Sequence, residues 1–175
     1  MKRTVMTISL GVFVLLAALS GFLATRHPVA DATATQSPLL GKTAPSISAA
    51  ELGGGNFNLA SDRGHVVVLN FWSSWCGPCK QEAPELTTFA FNERGKGVDL
   101  VGVVFNDSVS SANAFAKFYG SLYPSVIDAS GAIANAYGVT APPTTFVIDR
   151  EGRVAATLIG ATSAKQLAAV VAKVA

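Results

Sequence analysis

Apolar residues run unbroken through Val66–Leu69 and return through much of Val98–Phe105. Such runs, rich in β-branched side chains, predict strands buried on both faces over His65–Trp72 and Val98–Phe105. Between and after them the rhythm turns helical. A helix is expected from Cys76 to about Arg94, interrupted at Pro84, where an interior proline removes one hydrogen bond and bends the axis. In Val109–Tyr119 the residues Ala112, Phe115, Ala116 and Tyr119 fall at helical spacing, which predicts a core-packing helix without a catalytic signal. Extended segments around Ser46–Leu52 and Asn56–Leu59, parted by Gly53-Gly54-Gly55, predict a β-hairpin before the first buried strand. Later come a short strand at Ser125–Asp128, a helix at Ser130–Tyr137, a hairpin of Thr144–Asp149 with Val154–Ile159, and a closing helix at Ser163–Val174. Strands alternating with helices and ending in a hairpin predict a layered α/β sheet.

The first residues follow a different pattern. Lys2 and Arg3 precede an uncharged, mostly apolar run from Thr4 to Thr25, long enough as a helix to cross about 30 Å of hydrocarbon. Residues 1–25 are therefore expected to be a membrane anchor or uncleaved signal. The basic pair would stay on the cytoplasmic side and the remainder outside, a single-pass protein whose C-terminal domain is extracytoplasmic. A cleaved signal peptide is the rival, because Ala30-Asp31-Ala32 has the small-x-small form of a cleavage site, but the run exceeds the roughly 7–15 residues usual there. Residues 26–38, rich in Ala, Thr, Ser, Pro and Gln, are expected to be a flexible linker, and 39–175 the folded domain. Half of the 175 residues are apolar and 14% charged, which fits one domain plus a hydrophobic extension. A net charge of +2 without a basic cluster gives no footprint for nucleic acid.

The chemistry is carried by Ser73–Pro84, which reads S-S-W-C-G-P-C-K-Q-E-A-P and holds both cysteines of the chain, Cys76 and Cys79. Two thiols at that spacing, where a strand gives way to a helix, can close into a small disulfide. Pro78 suits a first helical turn, which has no use for the missing N–H. Cys76 would sit at the positive end of the helix dipole, which favours the thiolate and makes it the nucleophile, with Cys79 as the resolving thiol. A structural disulfide is the alternative, although so short a loop gains little from closure entropy. A zinc site would need further ligands, and only His27 and His65 are on offer, neither at ligand spacing. Glu82 lies one turn beyond Cys79, and a carboxylate whose pKa is raised by burial could take the Cys79 proton. Trp75, beside Cys76, is expected to be partly exposed and to touch a partner, whereas Phe71 and Trp72 belong to the core.

The run Phe71–Cys79 with Lys80, Ala83-Pro84 and Leu86 resembles the active-site helix of the thioredoxin superfamily. Gly41-Lys42-Thr43-Ala44-Pro45, Glu82, and Tyr137-Gly138-Val139 leading to Pro143–Asp149 narrow the resemblance to the membrane-anchored, extracytoplasmic thioredoxins of cytochrome c maturation. It spans about Leu39 to Ala175. It implies a thioredoxin-like fold, a central mixed β-sheet flanked by helices, with an added N-terminal β-hairpin and a central helical insertion. It also implies a cis-proline at Pro143 facing the cysteines, and a functional glutamate at Glu82. Two positions depart from superfamily patterns. Asn70 stands six residues before Cys76, where cytosolic thioredoxins carry a buried aspartate, so proton handling would pass to Glu82 or to water. Pro142 stands where the relatives use a backbone N–H to hold substrate, and proline has none.

The expected function is thus a thiol-disulfide oxidoreductase with no cofactor beyond the Cys76–Cys79 disulfide. The resemblance implies a disulfide-bearing extracytoplasmic partner, apocytochrome c or a thiol carrier serving it, a membrane thiol-electron transporter as donor, and the bilayer around the N-terminal helix. The same chemistry run backwards would make an oxidase or isomerase, against which Gly77-Pro78 weighs. A peroxidase would want a threonine where Ser73 stands, and a copper-binding assembly factor a histidine after His65.

Overall fold

The computed structural model describes residues 32–174 and, ahead of them, Ala17. In chain order these residues form β1 (Thr33–Ala34), β2 (Ser48–Ala50), β3 (Asn56–Asn58), a 3₁₀ turn (Leu59–Asp62), β4 (Val66–Trp72) and α1 (Gly77–Glu93). They continue with β5 (Val98–Val104), α2 (Val109–Tyr119), β6 (Ser125–Ile127), α3 (Ala132–Tyr137), β7 (Thr144–Ile148), β8 (Val154–Ile159) and α4 (Ala164–Val171). The predicted strands, hairpins and helices all form, trimmed at their ends where caps take over. Ser108 and Ser163, for example, cap α2 and α4 by accepting the N–H of the residue three further on.

Six strands make one mixed sheet in the order β1-β8-β7-β4-β5-β6, and β2 pairs with β3 as a separate hairpin. β4 runs parallel to β5 and antiparallel to β7, so both of its edges are paired. Both of its faces are covered too, and all seven residues are buried. Alternation sorts them. Val67, Leu69 and Phe71 join Phe57, Tyr137 and Phe146 under the hairpin and α3. Val66 and Val68 meet Leu86, Phe89, Leu167 and Val171 of α1 and α4. Trp72 meets Cys76, Cys79, Ala83 and Phe115, stacking on Phe115 at 4.7 Å between ring centres. Asn70 falls on the α1 side of this alternation, between Val68 and Trp72.

The expected linker over 26–38 is shorter in the structure. Ala32 is buried, and Thr33 and Ala34 pair with Ile159 and Leu158 as an edge strand. The Gln166 side chain grips Ala32 from both sides, accepting its N–H at 2.9 Å and donating to its carbonyl at 2.7 Å. The anchor expected over Thr4–Thr25 lies outside the described residues but for Ala17. Among the described residues no helix is long and apolar enough to cross a membrane.

Gly102 of β5 is fixed by packing. A Cβ there would lie 2.6 Å from Trp72 Nε1 and closer still to Ser125 Oγ, the two groups that hydrogen-bond to each other beside it. Gly102→Ala is expected to destabilise the domain by about 1–3 kcal/mol, read from urea unfolding; an unchanged midpoint would show that β6 gives way freely.

Candidate active site

The loop that leaves the end of β4 is held before it reaches the first cysteine. The Ser73 hydroxyl donates to the Phe105 carbonyl in a short contact, and the Ser74 N–H donates to Asp107 Oδ2 at 2.6 Å. The Trp75 indole N–H donates to the Asn106 carbonyl at 3.0 Å. Asn106 has a left-handed backbone, φ 44°, a conformation that asparagine tolerates better than most. Its neighbour Asp107 also accepts the Ser108 N–H at 2.8 Å. The loop after β5 is therefore a cradle for the loop after β4, a role that the sequence pattern did not assign to Asn106 or Asp107. Their signal is the Asn-Asp-Ser string itself, which favours side-chain-to-backbone bonds, but its partners lie more than thirty residues away.

Cys76 is the N-cap of α1, and its sulfur accepts the N–H of Cys79 at 3.1 Å. The two cysteines are joined as a disulfide. Both are buried, while Trp75 beside them is 55% exposed. Pro78 occupies the first turn and Pro84 lies inside the helix, as the sequence indicated. The N-terminus of α1 thus points a backbone N–H at the sulfur of Cys76, where negative charge would develop on reduction.

Glu82 is fully buried on α1. Its Oε1 accepts from Asn70 Nδ2 at 3.0 Å and its Oε2 from the Thr162 N–H at 3.1 Å. Burial pushes the carboxyl up from its ordinary 4.5 to about 8, with those two donors pulling the other way. Asn70 Nδ2 also donates to Thr145 Oγ1 at 3.0 Å. Thr162 is fixed in turn, its hydroxyl donating at 2.8 Å to Gln166 Oε1, the same atom that accepts the Ala32 N–H. Thr145, Thr162 and Gln166 carry no sequence signal for this, because the contacts arise only when β4, β7 and the β8–α4 loop are brought together.

Pro143 follows a cis peptide bond from Pro142 and is buried. Thr144, the next residue, pairs with Phe71, so Pro143 is level with the end of β4 from which the cysteine loop departs. The Pro143 carbonyl accepts the Gly160 N–H at 3.0 Å. Pro142 is half-buried and Ala141 exposed. Ala141 gives its carbonyl to the Thr144 hydroxyl at 2.9 Å. Trp75, Cys76, Cys79, Glu82, Pro142 and Pro143 therefore all gather at one end of the sheet. His65 stands at the other end of β4, exposed, with Nδ1 2.6 Å from Asp99. Among the described residues no three His, Cys, Asp or Glu side chains converge as a metal cage would require.

Residues 39–172 match the Redoxin family. The chain belongs to that family. This redoxin is 30% identical over 167 residues to the thiol-disulfide oxidoreductase ResA of Bacillus thuringiensis (strain Al Hakam), covering 95% of each chain. It is 36% identical over 121 residues to ResA of Geobacillus thermodenitrificans (strain NG80-2), or 69% of this chain and 70% of that one. A secreted disulfide oxidoreductase of Mycobacterium tuberculosis, homologous to E. coli DsbE, superposes with a TM-score of 0.67 at 29% identity, over 73% of this chain and 95% of its own. The redoxin has the thioredoxin-like fold of the ResA and DsbE type and is a thiol-disulfide oxidoreductase.

The buried carboxyl sets a pH dependence. With a folded pKa near 8 against 4.5 unfolded, Glu82 is protonated in the folded protein and ionised in the unfolded chain between those values. Its contribution to stability therefore falls as pH rises through that window, by about 1.4 kcal/mol per pH unit. Glu82→Gln, which is neutral in both states, is expected to gain on the wild type between pH 5 and 8 in urea unfolding. A difference that stays constant over that range would show an ordinary carboxyl.

Proposed function

We propose that this redoxin reduces disulfides in an extracytoplasmic client, with apocytochrome c or a thiol carrier serving it as the client class that the resemblance to cytochrome c maturation proteins favours. The observation that carries the exchange chemistry is the α1 N-terminus closing on Cys76, with the Cys79 N–H on its sulfur, and the direction rests on the resemblance and on Gly77-Pro78 between the cysteines. In the reduced protein the Cys76 thiolate attacks one sulfur of the client disulfide. A mixed disulfide forms and the other client sulfur leaves as a thiolate, taking a proton. Cys79 then gives its proton to Glu82 in its ionised form, whose share grows as pH approaches 8, and attacks the Cys76 sulfur. The Cys76–Cys79 bond forms, the second client sulfur leaves, and two electrons have passed to the client.

In this reading no group beyond the cysteine pair carries electrons. A membrane thiol-electron transporter returns the disulfide to the dithiol, and the apolar run Thr4–Thr25 holds the domain on the outer side of the membrane. The secreted mycobacterial neighbour supports the extracytoplasmic placement. Trp75 and Ala141, both exposed, offer apolar contact to an extended client segment, while Pro142 withholds a backbone donor.

The same N–H on Cys76 favours the opposite direction as a second reading. Stabilising the thiolate stabilises the reduced form, which is how an oxidant of secreted thiols is made. The reduction potential of the cysteine pair, equilibrated against glutathione, separates the two. A value near roughly −270 mV is expected for the reductase, and one near roughly −120 mV would replace it with the oxidase. Pro142→Ala restores a strand-pairing N–H, and is expected to slow release of a client peptide trapped on Cys76 in a Cys79→Ser background. Unchanged or faster release would remove Pro142 from the client site.

A further inference from the structure

Both oxygens of Glu82 face N–H donors, Asn70 Nδ2 at 3.0 Å and the Thr162 backbone at 3.1 Å. That arrangement suits a carboxylate. A carboxylic acid carries an O–H that needs an acceptor, and burying it without one costs about 1–3 kcal/mol. One acceptor is at hand. Asn70 Oδ1 is buried and has no hydrogen-bond partner, although it belongs to the very amide whose nitrogen touches Glu82.

An amide turned over about its last side-chain bond exchanges an oxygen for a nitrogen of nearly the same size, so no room need be made. The Asn70 oxygen would then lie where its nitrogen is now, at 3.0 Å from both Glu82 Oε1 and Thr145 Oγ1. Glu82 could donate its acid proton to that oxygen. Thr145 could follow, because a hydroxyl that accepts from an amide N–H can rotate and donate to an amide carbonyl. The Thr162 N–H stays on Oε2 throughout. The unpartnered end of the amide is the carbonyl oxygen now and would be the NH₂ group, with its two donors, after the turn.

We propose that Asn70 is a positioning residue for Glu82 that turns its amide over with each proton Glu82 gains or loses. Its N–H faces the carboxylate and its carbonyl faces the acid. This rests on the reading of Glu82 as the proton acceptor for Cys79. It gives a reason for the amide at this position. An aspartate would bring a second charge to the same dry site, and an aliphatic side chain could serve neither state. Around Glu82, β4 contributes Asn70, β7 Thr145 and the β8–α4 loop Thr162, none of them titratable. The segment before β6 adds Tyr123, whose phenol is pushed up first by burial and then by the Glu82 charge, so it stays neutral across the relevant range.

Neutron diffraction on the perdeuterated, oxidised protein at pH 6 and pH 10 tests this directly. At pH 6 a deuteron is expected on Glu82, directed at the Asn70 oxygen, and at pH 10 the Asn70 ND₂ group should face a bare carboxylate. An amide in one orientation at both values, while Glu82 gains and loses its deuteron, overturns the proposal and leaves the proton role of Glu82 standing. A Glu82 that is ionised at both values overturns the two together. In solution, Asn70→Leu keeps the branched shape and removes both functions. Resolution of a preformed mixed disulfide by Cys79 is expected to slow about tenfold or more, the size of one lost bond to a charged group, with a shifted pH profile and cooperative unfolding retained. A rate within about twofold of wild type from pH 6 to 9, less than one such bond is worth, also overturns it.

Discussion

A strand that is paired along both edges and covered on both faces can carry polar side chains only where the structure supplies their partners, and β4 carries one. Asn70 is surrounded by valine, leucine, phenylalanine and tryptophan on its own strand, and nothing there meets its hydrogen-bonding needs. Glu82 and Thr145 take up its N–H groups from the helix above and the strand beside it. Glu82 in turn depends on Thr162, and Thr162 on Gln166. Each polar group in this sequence is held by the next, from the middle of the sheet to its edge. The dry surroundings make each link matter, since a low dielectric strengthens a made bond and penalises a missing one.

The disulfide sits just past the end of the same strand. Cys76 is reached four residues after Trp72, through a loop whose serines are tied to Phe105 and Asp107. Strand, loop and helix therefore place one sulfur at a helix N-terminus, while the third residue past Cys79 lies inside the core. A single turn of α1 thus spans two environments, one suited to holding thiolate charge and one that resists carboxylate charge. Proton and electron chemistry are separated by the helix that joins them.

Most of this architecture was legible because burial writes itself into residue choice. The doubly covered strands read as continuous apolar runs, α2 as an apolar stripe, and the first hairpin as a glycine-marked turn. The cysteines, both prolines of α1, Glu82 and Pro143 were legible through their spacing and their likeness to thioredoxins. What escaped notice shares a physical cause. β1 joins the sheet through backbone bonds alone, with both side chains exposed, so its sequence resembles the linker around it. Asn106, Asp107, Thr162 and Gln166 act across long separations in the chain through groups that are equally at home in solvent. Nothing local distinguishes a threonine that orients a buried acid from one that caps a loop.

The edge strand carries a geometric consequence. Thr33 pairs with Ile159, and Ile159 with Thr144, which is level with the end of β4 and next to Pro143. Ala32 lies further along the same direction, against Gln166 and near Gly160. The chain therefore enters the domain at its catalytic end, not at the far pole of the sheet. Residues 26–31 extended to their limit span only about 20 Å. Whatever precedes that segment is therefore held within about 20 Å of the edge strand at this end of the sheet. Whatever exchanges disulfides with Cys76 approaches the same end of the sheet at which the chain enters.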